Sequence, residues 1–220
     1  MLTLHTADVL LTADGSPVPG PYAVLVGAGR IVALGPAAEL AGAHPGARER
    51  RWPGVLTAGL WHTRAAELLQ GAYHPDPREA DALGTEPLTG AALSALAPDG
   101  TRWGGSDRRG VQRLLARGVT TVSGPFARPS AHTAVARSGL RTRPAPPGAP
   151  ELTLSGAPAV GGPADLAVFA LPGAPDPRAL TAFLGGAEGA DGPGAVAARL
   201  AAGAECVATV LGGRLVHRRA

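Results

Sequence analysis

Arg51-Trp-Pro-Gly-Val-Leu-Thr-Ala-Gly-Leu-Trp-His-Thr-Arg64 is the stretch on which the fold turns. Val55 to Thr57 is a β-type segment that runs into Gly59 and then into His62-Thr63-Arg64. A glycine that breaks an apolar run marks a turn or a close backbone approach. His62 is a side chain able to bind a metal. Arg64, two positions on, is a permanent cation that repels one.

On the N-terminal side, residues 1–57 read as β. Ala7 to Leu11 is a short strand, and Asp14-Gly15 is a turn pair. Ala23 to Val26 and Arg30 to Leu34 form a hairpin about Gly27-Ala28-Gly29, with the glycines supplying positive φ. Ala37 to Leu40 forms a helical turn, and Arg50 to Thr57 resumes extended structure.

On the C-terminal side, residues 58–149 change character. Asp76, Pro77 and Glu79 have the spacing of a helix start with a capping box. Further helices are predicted over Leu88 to Leu96, after Ser106 as a cap, and over Ser130 to Arg137. Gly118 and Gly139 stop two of them. Val119 to Val122 and Leu140 to Arg143 are strands, so helix, glycine and strand alternate as in parallel βα units. Arg143 to Pro150, with four prolines in eight residues, is a linker. Beyond it the chain returns to β at Glu151 to Leu154, Ala164 to Phe169 and Cys206 to Leu211. Helices run from Asp176-Pro177 to Leu184 and from Gly194 to Ala202. Gly212-Gly213 then turns into Arg214 to His217, echoing the hairpin near the N-terminus.

With 220 residues the chain is long enough for a real core. Glycine (32) and proline (22) make up about a quarter of it, yet the apolar residues come in periodic blocks, which favours a folded protein. Every basic residue is arginine. Guanidinium groups suit phosphate, but a net charge of +3 with acids interspersed does not argue for nucleic acid. Cys206 stands alone, so neither an intrachain disulfide nor a cysteine zinc cage is available, and a buried, inert thiol is expected. No run approaches the ~18 apolar residues of a membrane span. No leader pattern is read at the N-terminus, so the expected setting is cytoplasmic.

The two ends and the middle together resemble the amidohydrolase superfamily, in its imidazolonepropionase-like and aminodeoxyfutalosine-deaminase-like branch. The resemblance rests on Ala7-Asp-Val-Leu10, Ala23-Val-Leu-Val26, Gly29 to Gly35, Val55 to Leu60, Gly118 to Val122, Gly162 to Phe169 and Val207 to Val216. It implies a composite β domain from residues 1–57 and 150–220, with residues 58–149 an α/β remnant of a metal-bearing barrel. The fold class implied is α/β, with a partial, truncated (β/α) barrel layer. In such proteins Pro-Gly-hydrophobic is followed by His-x-His on the first barrel strand. Here Arg64 replaces the second histidine, Ala58 stands where proline usually sits, and the lead-in is about two residues shorter. The resemblance also implies a lysine or glutamate on strand 4, histidines on strands 5 and 6, and an aspartate on strand 8. Only 42 residues separate Val122 from Asp165. Six further βα units of ~30 residues do not fit there.

A hydrolytic metal centre takes about three protein ligands and an open position. His62 is the one residue carried over by position. His74, Asp76, Glu79 and Asp81 form a second cluster, which the capping box explains without a metal. Ser123 with His132, and Arg128 with Arg64, are weaker pairings. Asp165 is expected to cap or turn at a strand start. The leading expectation is an amidohydrolase-like protein that has lost most of the metal site and binds a small molecule or a partner chain. No cofactor, nucleic acid or membrane is implied. A homodimer or partner chain is expected across the open barrel edge, with residues 65–105 as the other cover for it. The alternative is an active hydrolase of non-peptide carbon–nitrogen bonds, with zinc or iron in a site rebuilt from His62, His74 and Asp76.

Overall fold

The computed structural model describes residues 1–12, 15–173, 176–184 and 192–219. The turn expected at Asp14-Gly15 involves Asp14, which lies outside the described residues. β1 (Thr3–Leu11), β2 (Pro17–Gly27) and β3 (Arg30–Pro36) form an antiparallel meander. Its second turn has φ of 50° at Ala28 and 76° at Gly29, the two positive values of a type I′ hairpin. Ala28, not Gly27, takes the first of these places. A Cβ at Gly27 would come within 2.7 Å of the tip of the Leu2 side chain, a contact that a rotamer change relieves. After α1 (Ala37–Ala43), both β4 (Arg48–Arg51) and β5 (Val55–Ala58) run parallel to β1 along its other edge. Gly54 separates them, and the carbonyl of Phe169 lies 2.2 Å from where its Cβ would be.

One residue later the chain enters a second sheet. Gly59 alone joins β5 to β6 (Leu60–His62), and a Cβ at Gly59 would stand 2.1 Å from Thr120 Cγ2. Next come α2 (Ala65–Gln70), a 3-10 turn at Pro77–Glu79, α3 (Ala80–Leu83), α4 (Gly90–Leu96) and α5 (Gly100–Ala116). β7 (Val119–Val122), α6 (Pro129–Ser138), β8 (Arg141–Thr142) and β9 (Leu152–Leu154) complete this part. The sheet order is β8-β7-β6-β9; the first three strands are parallel and β9 is antiparallel to β6. Leu152–Leu154, grouped by sequence with the terminal strands, therefore pairs in this smaller sheet. Ser106 does not open a helix either. α5 starts earlier, with the Asp99 carboxylate accepting from Arg102 N–H at 2.8 Å, and Ser106 is buried within it. Gly104-Gly105 resembles a break in sequence, but capping at Asp99 and burial of Val111, Leu114 and Leu115 carry the helix through.

β10 (Leu166–Ala170) then returns to the first sheet, between β5 and β11 (Glu205–Leu211), with α7 (Pro177–Leu184) and α8 (Pro193–Gly203) intervening. β12 (Arg214–Arg218) closes the order β12-β11-β10-β5-β1-β2-β3. The two glycine turns abut: a Cβ on Gly213 would come within 3.2 Å of Gly29 Cα. Both ends of the chain thus build one sheet, and the α/β class expected from sequence is the one observed. One core cluster crosses between the sheets, joining Val9 and Val55 to Leu60, Leu114, Val119, Phe169 and Leu200. The segment after α2 packs on α5, where Gly110 lets Leu69 and His74 close in, while Arg141 and Thr142 of β8 are exposed.

Candidate small-molecule site

Side chains alternate across a strand, so neighbours in β6 face opposite ways. Trp61 carries the Arg143 guanidinium 3.6 Å from its ring centroid and donates from Nε1 to Ser123 Oγ at 2.9 Å. Leu60 and His62 face the other side, toward the end of α5 and toward α8. There they line a cavity of about 290 Å³ with Arg117, Phe169, Ala204 and Cys206. In a (β/α) barrel the helices cover one face of the sheet and catalytic groups gather at the strand ends of the interior. His62 lies on the helix-covered face.

His62 is 4% exposed. Its Nε2 stands 3.5 Å from a carboxylate oxygen of Glu151, whose other oxygen accepts from Arg64 at 2.5 Å. At 3.5 Å the His62 contact is electrostatic rather than a hydrogen bond. Nδ1 is buried without a partner. Burial holds the His62 pKa below its ordinary value; Glu151 opposes this, and Arg117 and Arg64 add to it. The ring is neutral at pH 7. Burial likewise pushes the Cys206 thiol up, which leaves it inert as expected.

The capping box read from sequence is present in full. Asp76 accepts from Arg78 N–H at 3.0 Å, and Glu79 accepts from Asp76 N–H at 2.9 Å. The element it caps is a single 3-10 turn leading into α3. Arg109 bonds Asp76 at 3.0 Å, while Tyr73 and Arg102 bond Glu79 at 2.6 and 2.7 Å. Those bonds, Tyr73 first, hold the Glu79 pKa down at about 2. Asp81 is exposed. His74 is buried beside Gly110 with neither ring nitrogen bonded, and desolvation, then Arg113, lowers its pKa to about 4. Among the described residues, no three His, Cys, Asp or Glu side chains form a group that could hold a metal ion. His62, His74 and Asp76 do not make the rebuilt site of the alternative reading.

The remaining candidates lie apart from the His62 cavity. Ser123 is buried against Trp61, and His132 is exposed on α6. Arg128 lies 3.5 Å over the Trp103 ring, donates to the Leu69 carbonyl and faces buried Asp107 at 3.4 Å. It is a packing arginine, neither an anion site nor solvated. Asp165 accepts from Gly212 N–H at 2.7 Å and pairs with Arg141, tying the strand start to the last hairpin and to β8. Sequence reading missed Glu151 and Arg117 as residues of this site. Glu151 is 87 residues from Arg64, and no local spacing announces such a pair.

A family model described as the bacterial imidazolonepropionase-like composite domain matches residues 23–47. Those residues span the end of β2, all of β3 and α1, where the first hairpin resembled that family. No curated protein matches the chain. Among solved structures, the chain is similar to A. niger ochratoxinase (19% identity, TM-score 0.43, 65% of this chain and 30% of that one). It is also similar to Helicobacter pylori aminofutalosine deaminase (14%, 0.42, 64% and 32%) and to E. coli guanine deaminase (12%, 0.45, 64% and 36%). The chain spans about a third of the length of these structures. No helix of the described residues is long and apolar enough to cross a membrane.

Proposed function

We propose, with the imidazolonepropionase-like match at residues 23–47 as premise, that this chain is an amidohydrolase-like protein that holds a small molecule without hydrolysing it. The observation that carries the reading is the position of His62, under the helices, with Nε2 3.5 Å from Glu151 and Nδ1 unpartnered. Metal-assisted hydrolysis of a carbon–nitrogen bond needs several ligands around one open position. His62 offers one nitrogen, Arg64 brings a cation, and Asp76 is held by Arg109 and Arg78. These residues do not fit a hydrolytic metal centre.

The cavity instead has apolar walls at Leu60, Phe169 and Ala204, with the neutral His62 imidazole, the Glu151 carboxylate and the Arg117 guanidinium beside them. That set suits a small, mostly apolar molecule with a polar group that meets the carboxylate or the guanidinium. The exposed β8 strand also leaves an edge that a second copy or a partner chain can pair with. The test is hydrolysis of cyclic amides and amino-heterocycles by protein purified without chelator, beside its His62→Ala variant. The expected result is no turnover above buffer in either protein. Metal-dependent turnover that His62→Ala abolishes overturns the reading and favours an active hydrolase.

A further inference from the structure

A second opening shares no lining residue with the His62 cavity. Gly104, Arg108 and Val111 of α5 face Ser130, Ala134 and Arg137 of α6 across a groove of about 380 Å³. Val111 and Ala134, both buried, form its apolar floor. A Cβ added at Gly104 would meet nothing within 4 Å, so this glycine leaves space that no other part of the protein fills. In mid-helix, glycine is less favourable than any residue but proline, and no packing contact requires it here.

The charge balance is the second observation. Neighbouring arginines are engaged: Arg102 with Glu79, Arg109 with Asp76, and Arg128 with Asp107 and the Trp103 ring. Arg108 and Arg137 are exposed and have no acidic, aromatic or hydrogen-bonding partner among the described residues. Asp107, the acid nearest in α5, accepts from Ser130 Oγ at 2.6 Å and is paired with Arg128. Two guanidinium groups therefore stand unneutralised over an apolar floor, in a volume within the ~300–1,000 Å³ range of small-molecule sites.

We propose that the α5–α6 groove binds a small organic anion. Its carboxylate, sulfonate or phosphate is held by Arg108 and Arg137, and its ring or chain lies on Val111 and Ala134. Guanidinium forks match such groups in pairs of parallel hydrogen bonds.

Anilinonaphthalene sulfonate, fluorescent when bound, is the probe. It should bind the wild-type chain saturably. The Arg108→Gln, Arg137→Gln double variant should bind at least fivefold more weakly. Gly104→Leu should do the same while its thermal midpoint stays at or above wild type, because the new side chain enters open space and favours the helix. A smaller loss in either variant, or no saturable binding, overturns the proposal. So does equally tight binding of the neutral phenylnaphthylamine, which lacks the sulfonate.

Discussion

His62 Nε2 lies 3.5 Å from Glu151 Oε1 while Arg64 holds the other carboxylate oxygen, so one acid bridges the side chains of residues 62 and 64. Glu151 raises the His62 pKa against the larger effect of burial. Glu151→Gln should therefore lower that pKa further, as read from the ring proton shifts across a pH titration. A rise would mean that Glu151 is not the ring's partner. The Arg64–Glu151 pair is half-exposed, and its loss should cost less than about 1 kcal/mol in denaturant unfolding.

Acid should destabilise the protein through two other histidines. His5 stacks on Trp52 and accepts its Nε1–H at 3.2 Å; burial, then Arg50, lowers its pKa to about 4. His74 is lowered to about 4 as well. Both take up a proton more readily unfolded, at about 6.5. Their contribution is intact above pH 6.5 and is lost as pH falls toward 4, on the order of a few kcal/mol each. His74→Leu exchanges an unbonded buried ring for an apolar side chain. Its unfolding free energy should fall less steeply between pH 6.5 and 4 than that of the wild type; equal slopes would contradict the assignment.

Gly59 is the hinge between the sheets, and it has no room for a methyl group against Thr120. Gly59→Ala should destabilise by about 1–3 kcal/mol, the range for overpacking. Chemical denaturation measures it, and a variant as stable as wild type would show that the sheets separate at no cost.

Asp165 secures the last turn through Gly212 and the smaller sheet through Arg141. Asp165→Ala should cost about 1–3 kcal/mol, since it leaves the Gly212 N–H without its acceptor. Asp165→Asn keeps an acceptor and should cost less. Equal losses in the two variants would place the whole effect in the Arg141 pair.

Local chemistry was legible in the sequence, and long-range pairing was not. The hairpins, the capping box at Asp76 and Glu79, and the stops at Gly118 and Gly139 each follow from residues a few positions apart. The strand from Val55 was legible too, but not the switch of sheets at Gly59, because Thr120 is what excludes a side chain there. Which face His62 takes depends on strand parity against β7 and β9, and a slip of one residue reverses it. The arginine-only composition suggested phosphate recognition. The structure places guanidinium groups over Trp61 and Trp103, a use that only tertiary contacts reveal.

Nitrogen NMR of the His62 ring, with and without one equivalent of zinc, tests the central claim most directly. A neutral ring, indifferent to zinc and to chelator, is the result expected of a side chain buried beneath α5 and α8. A His62 nitrogen that shifts with zinc and returns on chelation would contradict it and restore a metal to this site.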